Sequence, residues 1–395
     1  MPVVTRRLRR ALVASALVGV TVAGTAGWAA GTAQTPVTGP PPGSVSWRAD
    51  DSLGRELPAP DAGPARIARF FDGLDAKQRQ GLAHRHPLIV GNLDGAPVKV
   101  RYEANRTALR QAVRIHRERA ADSSLPRSYR DTARGKADRY AELLAPGRQI
   151  LAFDPRGRGQ LAVVHGDLER ARRTAVVVPG NDVDLASFDR KKDRYGTSEG
   201  MATALRARMA RQSPGTRTAV IAWAGYTTPV GVGPDAATSR LAEAGAPRLE
   251  RLLHGLDRTG AAAPTVFCHS YGSVLCAKAA PHLTRRDASG LVVLASPGMD
   301  VGSARDLSTS VPVWATQRDE GDWIGRVPSL RVFGVGHGAD PADPDFGARL
   351  LASPDSRGHT GYFAPGSGAL ANYASLTLGS YERVRCAEAG CTDDV

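Results

Sequence analysis

The chain has 395 residues, 42% hydrophobic and 23% charged, which is enough apolar content for a folded core and too much for a disordered chain. Its formal net charge of +13 suggests nucleic acid, but Arg6, Arg7, Arg9 and Arg10 form one N-terminal cluster and the other arginines are scattered among acids. No zinc-finger spacing, RNA-binding aromatic pattern or basic-zipper heptad accompanies them, so no nucleic-acid partner is expected.

Residues 1–33 read as an export signal. The arginine cluster is followed by an uncharged stretch from Ala11 to Ala30, with the small residues Ala29, Ala30 and Ala33 around a cleavage point. Thr5-Arg6-Arg7 also begins like a twin-arginine signal, although Arg9 and Arg10 stand where apolar residues are expected. The stretch is long enough to anchor the chain if it is not removed. Membrane contact is expected only through it, in a protein that is secreted or held in the cell envelope. Residues 34–64, rich in Pro, Gly and Ala, read as a linker. Residues 65–149 read as helical. Tyr129, Ala133, Ala137, Tyr140 and Leu144 recur at the spacing of one helix face, and Leu109 with Val113 suggests a second helix.

From about residue 150 the pattern changes. Short apolar runs at 162–164, 175–178, 219–223, 266–267, 291–294, 311–314 and 330–333 alternate with helical patterns at 201–209, 236–253 and 274–280. Such alternation predicts an α/β fold, a mostly parallel central sheet covered by helices on both faces. Residues 150–380 would form this domain, the helical region before it an elaboration, and residues 381–395 a Cys-containing tail. Ligands bind such sheets at the carboxyl ends of the strands.

The sharpest motif is Thr265-Val-Phe-Cys-His-Ser-Tyr-Gly-Ser-Val274, an apolar strand, a turn and an apolar helix. That is the context of a nucleophile elbow, with Ser270 lifted clear of the backbone and the Tyr271 amide free to bind an oxyanion. Cys268 stands where glycine is usual, so the strict G-x-S-x-G pattern is absent. A serine nucleophile needs a base and an acid that orients it, here in the chain order Ser, Asp or Glu, His. The loop after the 311–314 run offers Asp319, Glu320 and Asp322, of which Asp322 is preferred and Asp319 competes. His359, in a glycine-flanked loop before the last helix, is the preferred base over His337. The Val178-Pro-Gly-Asn181 loop supplies a second oxyanion amide, Asn181 being favoured. Trp223, Tyr226, His269 and His337 are expected to line the substrate pocket.

These blocks resemble an actinobacterial α/β-hydrolase domain family of unknown function, secreted and carrying the same His269-Ser-Tyr-Gly-Ser273 elbow. The resemblance runs from about Gly91 to Gly379. It takes in Gly91-Asn-Leu-Asp-Gly-Ala-Pro97, Ala104-Asn-Arg106, Phe153-Asp-Pro155, Trp223-Ala-Gly-Tyr226, Ser296-Pro-Gly298, His337-Gly-Ala-Asp-Pro341 and His359-Thr-Gly-Tyr-Phe363. It implies an α/β-hydrolase fold with a Ser–Asp–His triad falling on Ser270, Asp322 and His359, and it supplies no substrate.

The four cysteines fit an exported chain, and the shortest pairings are Cys268 with Cys276 and Cys386 with Cys391. No phosphate cradle, dinucleotide fingerprint or metal-ligand spacing is present, so no cofactor or metal is expected. The resulting expectation is a secreted serine hydrolase acting on a small-molecule, lipid or envelope acyl ester. A peptidase or amidase of the same fold, and a non-catalytic envelope-binding protein, are the alternatives.

Overall fold

The computed structural model describes residues 33–394, so the leader read at 1–33 lies, but for Ala33, outside the described residues. Four short helices come first, α1 (Ser44–Arg48), α2 (Pro64–Asp72), α3 (Ala76–Arg85) and α4 (Pro87–Val90). The proline-rich stretch read as a linker is not a free spacer. Trp47 is fully buried, donates its indole N–H to Pro58 O at 2.7 Å, and packs with Leu57, Ile67, Phe71 and Leu82. Composition registers the prolines, but one large aromatic buries enough apolar area to hold the segment against the helices.

Two long helices follow, α5 (Val98–Ala121) and α6 (Arg127–Leu143). The buried face of α6 is Ala133, Ala137, Tyr140 and Leu143, close to the predicted stripe. Tyr129 departs from that stripe and is exposed, since the first turn of α6 stands clear of the packed face. Asn105 on α5 donates to Gly91 O at 2.9 Å and to Ile150 O at 3.1 Å, tying the helical region to the first strand.

That strand is β1 (Gln149–Asp154), followed by β2 (Gln160–Gly166), β3 (Arg173–Val178), β4 (Thr218–Ala224), β5 (Thr265–His269), β6 (Gly290–Leu294), β7 (Gly298–Val301), β8 (Val313–Thr316), β9 (His337–Gly338) and β10 (Arg349–Leu351). Eight of them form one sheet in the order β1-β2-β4-β3-β5-β6-β8-β10. Pairing is antiparallel from β1 to β2 and from β2 to β4, and parallel beyond. The central strands β4, β5 and β6 are buried at every position, as a sheet covered on both faces requires. Helices α7 (Ser198–Gln212) and α11 (Gly368–Leu378) cover one face. After the short α8 (Pro234–Ala237), α9 (Arg240–Arg258) and α10 (Gly272–Ala279) cover the other. This is the α/β-hydrolase fold. Among the described residues no helix is long and apolar enough to cross a membrane.

One predicted strand is absent. Residues 330–333 lie exposed on the surface, paired only through isolated bridges, because Pro328 and the left-handed Gly334 and Gly336 turn the chain away from the sheet. The edge position beside β8 is taken instead by β10, and the tail packs on it through a bridge between Leu351 and Cys386.

Candidate active site

Strand β5 ends at His269 and α10 begins at Gly272, so Ser270 sits in the turn between them with φ of +54°. A side chain in this left-handed region costs about 1–2 kcal/mol and has to be held by its surroundings. Ser270 N donates to Leu294 O at 3.0 Å, and its carbonyl accepts the Ser273 hydroxyl at 2.6 Å. Two glycines make the fit. A Cβ on Gly272 would stand 2.7 Å from Pro179 O, and one on Gly180 would stand 2.6 Å from Ser270 Cβ. A disulfide joins Cys268, in the strand, to Cys276, in the helix, and Cys386 is joined to Cys391. The first bond straddles the turn where glycine is usual, which explains why a cysteine stands at that position.

The Ser270 hydroxyl donates to His359 Nε2 at 2.9 Å, and His359 Nδ1 donates to Asp322 Oδ1 at 2.8 Å. Asp322, 3% exposed, also accepts the Ile324 amide at 3.1 Å and the Tyr362 hydroxyl at 2.9 Å. Burial pushes its pKa upward, but the bonds from His359, Ile324 and Tyr362 outweigh burial and hold the carboxyl below its ordinary value. Asp319 has a different position. Its Oδ2 accepts the Gly358 amide at 2.6 Å, so it braces the loop that carries His359 rather than the ring. The indole of Trp323 lies 4.7 Å from the His359 ring and is 41% exposed.

The Tyr271 amide opens α10, and the Asn181 amide follows Gly180, which touches Ser270. Among the described residues neither amide donates to a protein acceptor, so both stand free beside the serine. The Tyr226 hydroxyl fixes the second loop by donating to Pro179 O at 2.8 Å, and Asn181 Nδ2 donates to Gly231 O at 2.6 Å. A nucleophile, a base in a fixed tautomer, a buried carboxylate and two unpaired amides are the parts needed for acyl transfer.

Residues 154–332 match the family described as "Alpha/beta hydrolase". This part of the chain is an alpha/beta hydrolase domain. The matched span includes Ser270 and Asp322 and stops short of His359. Uncharacterized proteins from two strains of Mycobacterium tuberculosis are each 30% identical over 382 residues, a match that covers 82% of this chain. The chain spans only 57% of the length of these relatives. The crystal structure of 2,6-dihydroxy-pseudo-oxynicotine hydrolase is similar at 12% identity with a TM-score of 0.34, covering 84% of this chain and 93% of that one.

The hydrolase domain uses the four expected pocket residues differently. His269 is buried, and its Nε2 donates to His359 O at 2.9 Å, so it braces the His359 backbone. Burial, then the neighbouring His359, push its pKa down to about 4 and keep it neutral. His337 is buried between Asp300 and Ala236 O, at 3.0 and 2.8 Å, with its ring edge against Tyr271. Tyr226 is a buried prop of the Asn181 loop, and Trp223 stacks on it. The letters of these residues suit a pocket wall, but register in β4, β5 and β9 turns Trp223, His269 and His337 inward, and the bond to Pro179 O holds Tyr226 in. Tyr362 is the residue that sequence reasoning missed, and its position three residues after His359 was the available signal. Trp323, next to the acid, was passed over in the same way.

Proposed function

We propose that the protein is a serine hydrolase that transfers an acyl group to water, with a carboxylic ester as substrate. The observation that carries this is the continuous line from Ser270 Oγ through His359 to the buried Asp322, at 2.9 and 2.8 Å. His359 Nε2 takes the Ser270 proton as Oγ attacks the carbonyl carbon. Asp322 holds the Nδ1–H tautomer and stabilises the imidazolium. The Tyr271 and Asn181 amides bind the oxygen that gains charge, and the imidazolium then protonates the departing alcohol. Water activated by the same imidazole releases the acid and restores Ser270. Two bonded cysteine pairs support the further proposal that the chain matures in an oxidising compartment after export.

The test is labelling by a fluorophosphonate, with wild type compared with Ser270→Ala. Wild type is expected to label and the variant to stay blank, whereas a folded wild type that does not label would favour a non-catalytic binding role. His359→Ala should abolish labelling and His337→Ala should leave it. Matched ester and amide substrates with a common acyl group separate an esterase from an amidase.

A further inference from the structure

Val45, Ile115 and Tyr129 are exposed at scattered points. Every other exposed large hydrophobic side chain of the described residues lies in two segments that meet the active site. The first follows β4 and exposes Val230 and Val232. Its Gly231 O accepts Asn181 Nδ2, and its Gly231 amide donates to Asp182 Oδ1 at 2.9 Å. The second leaves Trp323, beside His359, and runs through residues 325–335, all exposed, presenting Val327, Leu330, Val332, Phe333 and Val335. It returns to the site through the bridge from Val335 to Thr238, whose carbonyl accepts the Tyr271 hydroxyl at 2.7 Å.

Phe333 is the outlier within this surface. Val332 and Val335 exchange both backbone bonds, at 2.9 and 3.0 Å, and close a tight turn with Phe333 at its tip, φ +50°. Bulky residues avoid that region because Cβ clashes with the backbone, and the ring receives no packing in return, being wholly exposed. An unpacked aromatic held in a strained turn is better accounted for by a ligand outside the protein than by the fold. The chemistry of the surroundings narrows that ligand. Residues 325–335 contain Arg326 and Arg331 and no acid, and the segment 229–233 carries no charge. Arg331 reaches Asp300 at 3.9 Å but stays 38% exposed, whereas no ion pair holds Arg326 among the described residues. Because the turn's backbone is already paired, the segment offers apolar side chains, the cation of Arg326 and the exposed part of Arg331 rather than an open strand edge.

The geometry points to a lipid-docking face. The turn 332–335 inserts Phe333 among the acyl chains of an anionic lipid layer, Arg326 and Arg331 meet its headgroups, and Ser270 is brought to the ester bonds at that surface. The last clause rests on the serine-hydrolase proposal, and the docking itself does not. The substrate class is then an acyl ester presented in an aggregated layer rather than a dissolved short-chain ester.

The experiment uses the full chain with vesicles of phosphatidylglycerol and, separately, of phosphatidylcholine, read by co-sedimentation. Wild type is expected to bind the anionic vesicles more tightly, and Leu330→Asn with Phe333→Asn to weaken binding by about tenfold or more. Labelling of Ser270 by a soluble fluorophosphonate should be the same in wild type and variant. A wild type that leaves both vesicle types unbound overturns the proposal, as does a variant that binds like wild type. A dimer dissolved by Phe333→Asn, without vesicle binding, assigns the face to a second copy and overturns it too. If vesicle binding and its loss both hold while wild type fails to label, the hydrolase proposal falls and the docking face remains.

Discussion

Residues 317–324 and 325–335 follow one another after β8 and reach the same site, but their physical characters are opposed. In the first, Asp322 and Ile324 are buried, and the acid is bonded to His359, Tyr362 and the Ile324 amide. In the second, no residue is covered and the bulkiest side chain points into solvent from a strained turn. A group that must keep a charge and a tautomer has to be fixed by several partners at once. A group that meets an apolar ligand is effective only if the protein leaves it uncovered. Under the two proposals, a single loop divides into a part that does chemistry and a part that meets the ligand layer.

The sharpest way to break this division is Asp322→Asn, which should lower kcat about ten-thousandfold with little change in the unfolding midpoint. Asp319→Asn should cost far less, since it loosens the His359 loop while Asp322 keeps its charge. Equal losses in steady-state kinetics would mean that the segment acts through loop geometry alone. Next comes Tyr362→Phe, which leaves Asp322 Oδ2 without its donor and should cost about 2 kcal/mol of transition-state stabilisation. Removing a bond that holds the carboxyl low lets its pKa rise. Carbon-13 NMR of the aspartate carboxyls should therefore show Asp322 titrating at higher pH in the variant, and an unmoved titration would free Tyr362 of that role.

His269 extends the test to stability. Its folded pKa of about 4 lies below the ordinary histidine value of 6.5, so between those limits the unfolded chain binds the extra proton. Stability from this group is then full above about pH 6.5 and falls as pH drops toward 4, by about 2 kcal/mol between pH 7 and 5. Urea unfolding at the two pH values should show that slope, and His269→Gln should flatten it. The smallest effect is expected in the exposed part. Phe333→Asn relieves the left-handed strain and should raise stability by up to about 1 kcal/mol, measured by thermal unfolding. A clear loss would mean that the ring packs in the folded chain, and the contrast with 317–324 would collapse.

The features readable from the letters were the local ones. The elbow could be found because the strand, the small residues around Ser270 and the helix lie within ten positions. His359 followed from chain order and its glycine-flanked loop. The choice between Asp319 and Asp322 depends on where each carboxylate points, which three residues of spacing do not reveal. His269 and His337 have the composition of pocket residues, and only strand register turns them inward. The run at 330–333 has the apolar letters of a strand, and whether such a run is covered depends on distant partners, here β10 in the position beside β8. Trp47 shows the converse, a buried anchor within a proline-rich stretch.

The disulfide across the elbow has a consequence for how the protein can be made. Both Cys268 and Cys276 are completely enclosed, one in a strand with neighbours on either side and the other in the helix that covers it. An oxidant can reach them only while the sheet is still being assembled. Chains that fold before oxidation will carry two sealed thiols that later treatment does not join. A preparation is then expected to be a mixture fixed at birth, whose ratio is set by the environment during synthesis and can be read by alkylating the denatured chain.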